Sequence, residues 1–184
     1  MATGDLTTLA NVKSWLGITD STDDTLLTRM ITAFSATCQS YMNRDIYSKS
    51  YTETYDGVNS SKLFLQNYPV TAIASLSIDN VSIPLAANST VTGYLFNKNT
   101  ISLNGYSFTR GNQNISVTYT AGYATTPFDL EQAVLELIGY KYRERTRIGE
   151  ASKSLAGEVV SFDLKDLPPT TKLVLNQYKR VTPV

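Results

Sequence analysis

From Thr22 to Arg44 the apolar residues Leu27, Met30, Ile31, Phe34, Cys38, Tyr41 and Met42 return every three or four positions, with polar residues between them. That is the period of an amphipathic helix with one buried stripe. Ser21, followed three positions on by Asp24, reads as a capping box, and Asp23 adds negative charge where a helix start favours it. Upstream, Leu6, Leu9, Val12, Trp15 and Leu16 predict a shorter helix that stops at Gly17. The two form a helical hairpin.

Between Ile46 and Phe128 the period changes. Short runs rich in tyrosine, valine, isoleucine, serine and threonine are separated by turn signals such as "YDGVN", "QNYP", "IDN" and "LNGY", which predicts a β region. The glycines of "YDGVN", "LNGY" and "TRGNQN" read as turn residues, because each sits among turn formers. Helix returns at Asp129, placed as an N-cap with Gln132 three positions on, and Leu130, Ala133, Val134, Leu137 and Ile138 supply its buried stripe up to Gly149. The polar, serine-rich "GEASKSLAGE" then reads as a loop, and "VVSFDL" as a strand in which Val160, Phe162 and Leu164 alternate. After Pro168 and Pro169 a last helix carries Leu173, Val174 and Tyr178 and stops before Pro183.

A lone helical hairpin has too little core to stand by itself, so the first two helices must bury their stripes against the third and fourth. The predicted fold class is α+β: a small helical bundle of two N-terminal helices, one long helix and one C-terminal helix. A β-rich insertion lies between the second and third helices. Residues 1–184 form one domain, with 46–128 as the inserted module and 129–184 completing the bundle.

Composition narrows what such a fold does. Basic and acidic residues number 16 each, so no overall charge draws the chain to nucleic acid or to a membrane. No apolar run nears the ~18 residues of a membrane span, and "MATGDLTTLA" lacks the basic and then apolar pattern of a secretory signal, which together predict a soluble intracellular chain. The β region holds four basic residues (Lys49, Lys62, Lys98, Arg110) and three acidic ones (Glu53, Asp56, Asp79), so its surface rests on hydroxyl and amide groups. Such a surface tolerates close protein contact, because little charge must be desolvated.

Candidate chemistry is sparse. Histidine, the usual general base near neutral pH, is absent. The one cysteine, Cys38, lies on the apolar stripe of the second helix and reads as a small core residue rather than a nucleophile. There is no P-loop, dinucleotide fingerprint or EF-hand loop. The reading is therefore a non-enzyme with no catalytic residue, metal or cofactor. Its one charge feature is the basic group Lys141, Arg143, Arg145, Arg147 and Lys153, partly offset by Glu144 and Glu150. Cations suit a helix C-terminus, and the two-residue spacing spreads them around the helix instead of making one stripe. Both subunit salt bridges and phosphate contact stay open for them.

The stretch "ISVTYTAGYATTPFDLEQAVLELIGYKYRERTRIG" resembles the head-tail connector proteins of tailed double-stranded DNA bacteriophages, the adaptor or head-completion family. The likeness is carried by Tyr119, Ala121, Gly122 and Tyr123 at the strand end, by Pro127, Asp129, Leu130 and Ala133 at the helix start, and by Tyr140, Tyr142, Arg143 and Arg145 at its aromatic and basic end. The N-terminal helical pair and the late "LPP" helix with Leu173, Tyr178 and Arg180 are also similar. The β segment is longer than a minimal connector needs, which leaves open the adaptor itself or a related ring of the neck.

The resemblance implies a homo-oligomeric ring of about twelve copies at the neck of the virion, assembled in the host cytoplasm. It implies a portal protein on one side, a stopper or tail-completion protein on the other, and DNA passing through the lumen without sequence-specific binding. In that picture Tyr119, Gly122, Tyr123 and Asp129 orient the inserted module, and Tyr178, Lys179 and Arg180 lie near the portal. The loop from Gly149 to Gly157 orders on assembly. The rival expectation is a β-rich binding module or tail-associated component that recognises carbohydrate or another virion protein through its tyrosines. A nucleic-acid-binding protein using the basic helix end is a further one.

Overall fold

A computed structural model describes residues 4–145, 152–155, 158–161 and 167–180. The chain divides into two compact units, one made of Met1–Asp45 with Thr126–Val184 and the other of Ile46–Thr125.

The first unit is helical. α1 (Leu9–Leu16) begins after Thr8, whose hydroxyl accepts from the Asn11 N–H, and ends at Gly17 in the left-handed region. α2 (Asp24–Met42) buries Leu27, Ile31, Cys38 and Met42 of the expected stripe together with Ser35, while Met30, Phe34 and Tyr41 are half-buried. Ser35 is tolerated there because its hydroxyl accepts the Leu6 N–H at 2.9 Å. α3 (Phe128–Glu144) touches the other three helices and is the axis of this unit. α4 (Pro169–Tyr178) starts on Pro168 and Pro169, where a missing N–H costs nothing.

Four local expectations are corrected. Ser21 does not cap α2: Asp23 holds the N-cap position without a side-chain cap bond, and Asp24 is drawn away to Lys13 at 2.7 Å. Asp129 does not cap α3, because Pro127 occupies the N-cap and Asp129 is already inside the first turn. On α4, Leu173 is exposed and the buried residues are Thr171 and Leu175. Fourth, the predicted loop contains β8 (Ser152–Leu155), paired antiparallel with β9 (Glu158–Ser161). Ser-Lys-Ser-Leu shows no alternation that marks a strand; the pairing with Val159 and Val160 supplies its hydrogen bonds. The expected helix end at Gly149 and the strand residues Phe162 and Leu164 lie outside the described residues.

The second unit is all β. One antiparallel sheet has the order β1 (Lys49–Gly57), β7 (Gly111–Ala121), β3 (Val70–Ile78), β4 (Val81–Ser82), and another has the order β2 (Lys62–Phe64), β6 (Thr100–Asn104), β5 (Gly93–Phe96). Central strand β7 buries Ile115, Val117, Tyr119 and Ala121 at alternate positions, and both sheets contribute to one core with Leu76, Ile101 and Phe108. The "IDN" signal is the two-residue turn between β3 and β4, with Asp79 and Asn80 both at positive φ. Gly57 and Gly111, expected in turns, instead face each other across β1 and β7, where a Cβ on Gly57 would overlap the Thr109 carbonyl. Gly57 is required by this close backbone approach, whereas a Cβ on Gly111 would meet the Asn114 side chain at 2.7 Å.

Candidate functional site

The residues expected to matter fall into three groups, one in the β unit and two in the helical unit. At the end of β7, Tyr119 is fully buried. Its hydroxyl donates to Glu53 Oε2 at 2.6 Å, and its ring stacks on Tyr51 with centroids 5.7 Å apart. Tyr55 donates to the same carboxylate oxygen, and Asn67 Nδ2 donates to Glu53 Oε1 at 2.9 Å. Asn67 N–H also donates to the Tyr119 hydroxyl at 3.2 Å. Burial first, then the bond to Glu53, pushes the Tyr119 phenol up to about 12, and the same two causes raise Tyr55. Both hydroxyls therefore remain protonated donors at neutral pH.

Glu53, Tyr55 and Asn67 were not among the expected site residues. The signal was present in "YTETY", where period-two alternation puts Glu53 on the tyrosine face of β1.

Gly122, just past β7, has φ +113°, and a Cβ there would stand 2.4 Å from the Tyr47 carbonyl oxygen. Its N–H donates to Pro69 O at 2.9 Å. The next residue, half-buried Tyr123, donates its N–H to Ile46 O at 2.8 Å and accepts from Ser48 N–H at 3.0 Å. Gly122 and Tyr123 thus tie the exit of the β unit to its entry strand.

In the helical unit the basic end of α3 is partly consumed internally. Arg145 pairs with Asp23 Oδ2 at 3.1 Å and lies 3.7 Å over the Tyr142 ring, while the Tyr142 hydroxyl donates to the same Asp23 oxygen. That bond is the main reason the Tyr142 phenol is raised. Lys141 sits 5.7 Å over Tyr140, and Arg143 is exposed. Lys153 lies in β8 opposite Val160, and Arg147 is outside the described residues.

The end of α4 is also engaged. Tyr178 donates to the Asp129 carboxylate at 2.7 and 2.9 Å, Lys179 Nζ lies 4.8 Å over the Tyr41 ring, and Arg180 N–H donates to Met42 O at 2.8 Å. These bonds join α4 to α3 and α2.

A groove of about 440 Å³ lies beside α3, lined by Trp15, Glu136, Gly139, Tyr140, Arg143 and Glu144. Elsewhere on this unit Leu26, Phe128 and Leu173 are exposed, and the β unit exposes Val58, Phe64, Val81, Leu85, Val91 and Tyr106. Among the described residues no group of histidine, cysteine, aspartate or glutamate could hold a metal ion, and no helix is long and apolar enough to cross a membrane. Cys38 is buried, and that burial pushes its thiol up to about 11, away from nucleophilic use.

A protein-family model described as head completion protein matches residues 5–181. No curated protein matches the chain significantly. Among solved structures, the chain is similar to one in the neck of an empty gene transfer agent (GTA) particle computed with C6 symmetry, with TM-score 0.62 and 18% identity over 100% of this chain and 94% of that one. It is similar also to a chain in the virion of a native GTA particle, with TM-score 0.60 and 18% identity over 98% and 93% of the two chains. A third similar chain is in the neck of a native GTA particle computed with C12 symmetry, with TM-score 0.60 and 18% identity over 100% and 94%.

Proposed function

The chain belongs to the head completion protein family, and from that premise we propose that it is a structural connector in the neck of a phage-like virion. In this reading copies of the chain form a ring, of about twelve by the symmetry logic of such assemblies. The ring sits below the portal and joins the head to a stopper or tail, leaving a channel for DNA. The work is mechanical and no reaction is performed. The family match over nearly the whole chain carries the proposal; the neck particles that hold similar folds support it.

Physical features agree with such a role. The β unit has few charges to desolvate and exposes single apolar residues, and a ring subunit needs contact surface on two different sides. Residues 46–128 are the inserted module of one connector domain, with 129–184 closing its bundle. Tyr119, Gly122, Tyr123 and Asp129 fix the course of the chain around that insertion. Tyr178, Lys179 and Arg180 lie near the portal in this reading. Of the basic group, Lys141, Arg143, Arg147 and Lys153 are the cations proposed to meet a neighbour or DNA, since Arg145 is engaged by Asp23.

Electron microscopy and mass measurement of the protein mixed with portal test this directly. Closed rings on the portal are the expected result; a monomer that leaves the portal unoccupied would overturn it. A salt series distinguishes the roles of the cations, because phosphate contact predicts DNA affinity that falls steeply with salt.

A further inference from the structure

The strand edges of the β unit are not equally protected. Asn114 O accepts the Asp79 N–H at 2.8 Å, and the Gly122 N–H donates to Pro69 O at 2.9 Å. Even-numbered residues of β7 therefore turn their backbone groups toward β3, and odd-numbered ones toward β1. In the β1–β7 register Ser50, Thr52 and Thr54 stand opposite the even residues Thr120, Thr118 and Ser116. Their own N–H and C=O groups must then point away from β7, off the outer edge of β1. Among the described residues those backbone groups meet no hydrogen-bond partner, and the three side chains are exposed and uncharged.

The other edges are guarded. Register shifts between Val70 and Ala72 and between Ile73 and Ser75 break the line of β3, and β4 covers its far end. Beside β5, the Tyr94 N–H donates to Pro84 O and Tyr94 O accepts from the Ala86 N–H, both at 2.9 Å. β2 has only 3 residues. By contrast β1 runs without a register shift from Lys49 to Tyr55 and contains no proline. An edge of alternating donors and acceptors recognises another extended backbone, whereas a phosphate chain, which only accepts, does not match it.

The same chain carries an element in need of such an edge. β8 and β9 pair with each other and with no third strand, and a two-stranded ribbon is marginal in water until a further strand or a packed face supports it. Each of its strands has 4 residues, which at 3.3 Å per residue is about 13 Å, the length of edge from Ser50 to Thr54. Val159 and Val160 are β-branched and favour extended backbone. We propose that the β8–β9 ribbon of one copy pairs along the open edge of β1 in the next copy. Each copy then gives a ribbon and receives one, the head-to-tail arrangement that closes rings, whereas β1 pairing with another β1 would stop at two copies. The contact rests on the ring reading above and supplies it with a pair of surfaces.

The test puts the photoreactive analogue p-benzoylphenylalanine in place of Thr52 in the full chain and mixes it with an excess of unmodified chain labelled with heavy nitrogen. The mixture is assembled with portal and irradiated, and the crosslinks are mapped. Expected are crosslinks to residues 152–161 carrying the heavy label. Crosslinks there without the label would show the ribbon pairing within its own copy, and rings whose analogue crosslinks elsewhere or not at all would lack this contact; each overturns the proposal and leaves the ring standing. Thr52→Pro removes an outward N–H and none that β7 uses, so it should fold normally by circular dichroism yet need about tenfold more protein to assemble. Assembly of that folded variant at the unchanged concentration would count against the contact. Failure of the unmodified chain to form any ring would take down both.

Discussion

The helical and β units solve the same problem with different chemistry. The helical unit is stitched by charges: Lys13 to Asp24, Arg145 with Tyr142 to Asp23, and Tyr178 to Asp129. Each sits at or near a helix end and stays partly in water. The β unit holds its one central carboxylate, Glu53, among phenols and an amide, with β7 paired on both sides. A partly wet ion pair contributes little, whereas a clasped group with donors committed to it is costly to disturb. The β unit is therefore expected to be the less tolerant of single changes.

The largest break in this comparison is Gly122→Val. A β-branched residue at φ +113°, with its Cβ 2.4 Å from the Tyr47 carbonyl, should cost about 3 kcal/mol or more, read as a lower urea midpoint of the β unit. Next comes Glu53→Ala, which leaves the Tyr119 and Tyr55 hydroxyls without their acceptor and should cost about 2 kcal/mol in the same measurement.

In the helical unit the expected effect is smaller. Asp129→Ala should cost about 0.5 to 1 kcal/mol through the lost Tyr178 bond and the helix dipole. A double-mutant cycle with Tyr178→Phe should show coupling, whereas strictly additive effects would mean that the carboxylate acts on the helix start alone.

The finest distinction is in alkaline pH. Cys38 is raised from 9.0 to about 11 and Tyr119 from 10.0 to about 12, both first by burial. A raised folded pKa gives stability that is present below the unfolded value and lost as pH climbs toward the folded one. The helical unit should thus start to weaken near pH 9, and the β unit near pH 10. Cys38→Ala should remove the first decline and Tyr119→Phe should lessen the second, followed by unfolding at stepped pH.

These contrasts also explain what was legible in advance. The stripe of Leu27, Ile31, Cys38 and Met42, the stop at Gly17 and the turn at Asp79 and Asn80 were readable because each is a matter of neighbours within a few residues. So was the order of two helices, β insertion, long helix and last helix, since a period of 3.6 or of 2 is written locally.

Partners distant in the chain were not. Asp129 looked like a cap because Asp followed by Gln is a capping pattern, yet Pro127 takes that position and Tyr178, 49 residues later, claims the carboxylate. For Arg145 a subunit salt bridge and phosphate contact were both open, yet folding brings Asp23, 122 residues earlier, to its side. β8 was hidden because its strand character comes from its pairing partner. The groove exists only because Trp15 of α1 comes to lie against Gly139 of α3. Sequence by itself determined the order and type of most elements and the buried stripe of the long helices, since those follow from hydrophobic period. Tertiary structure alone decided which charges are neutralised and which surface stays open, because that depends on which remote group packing delivers.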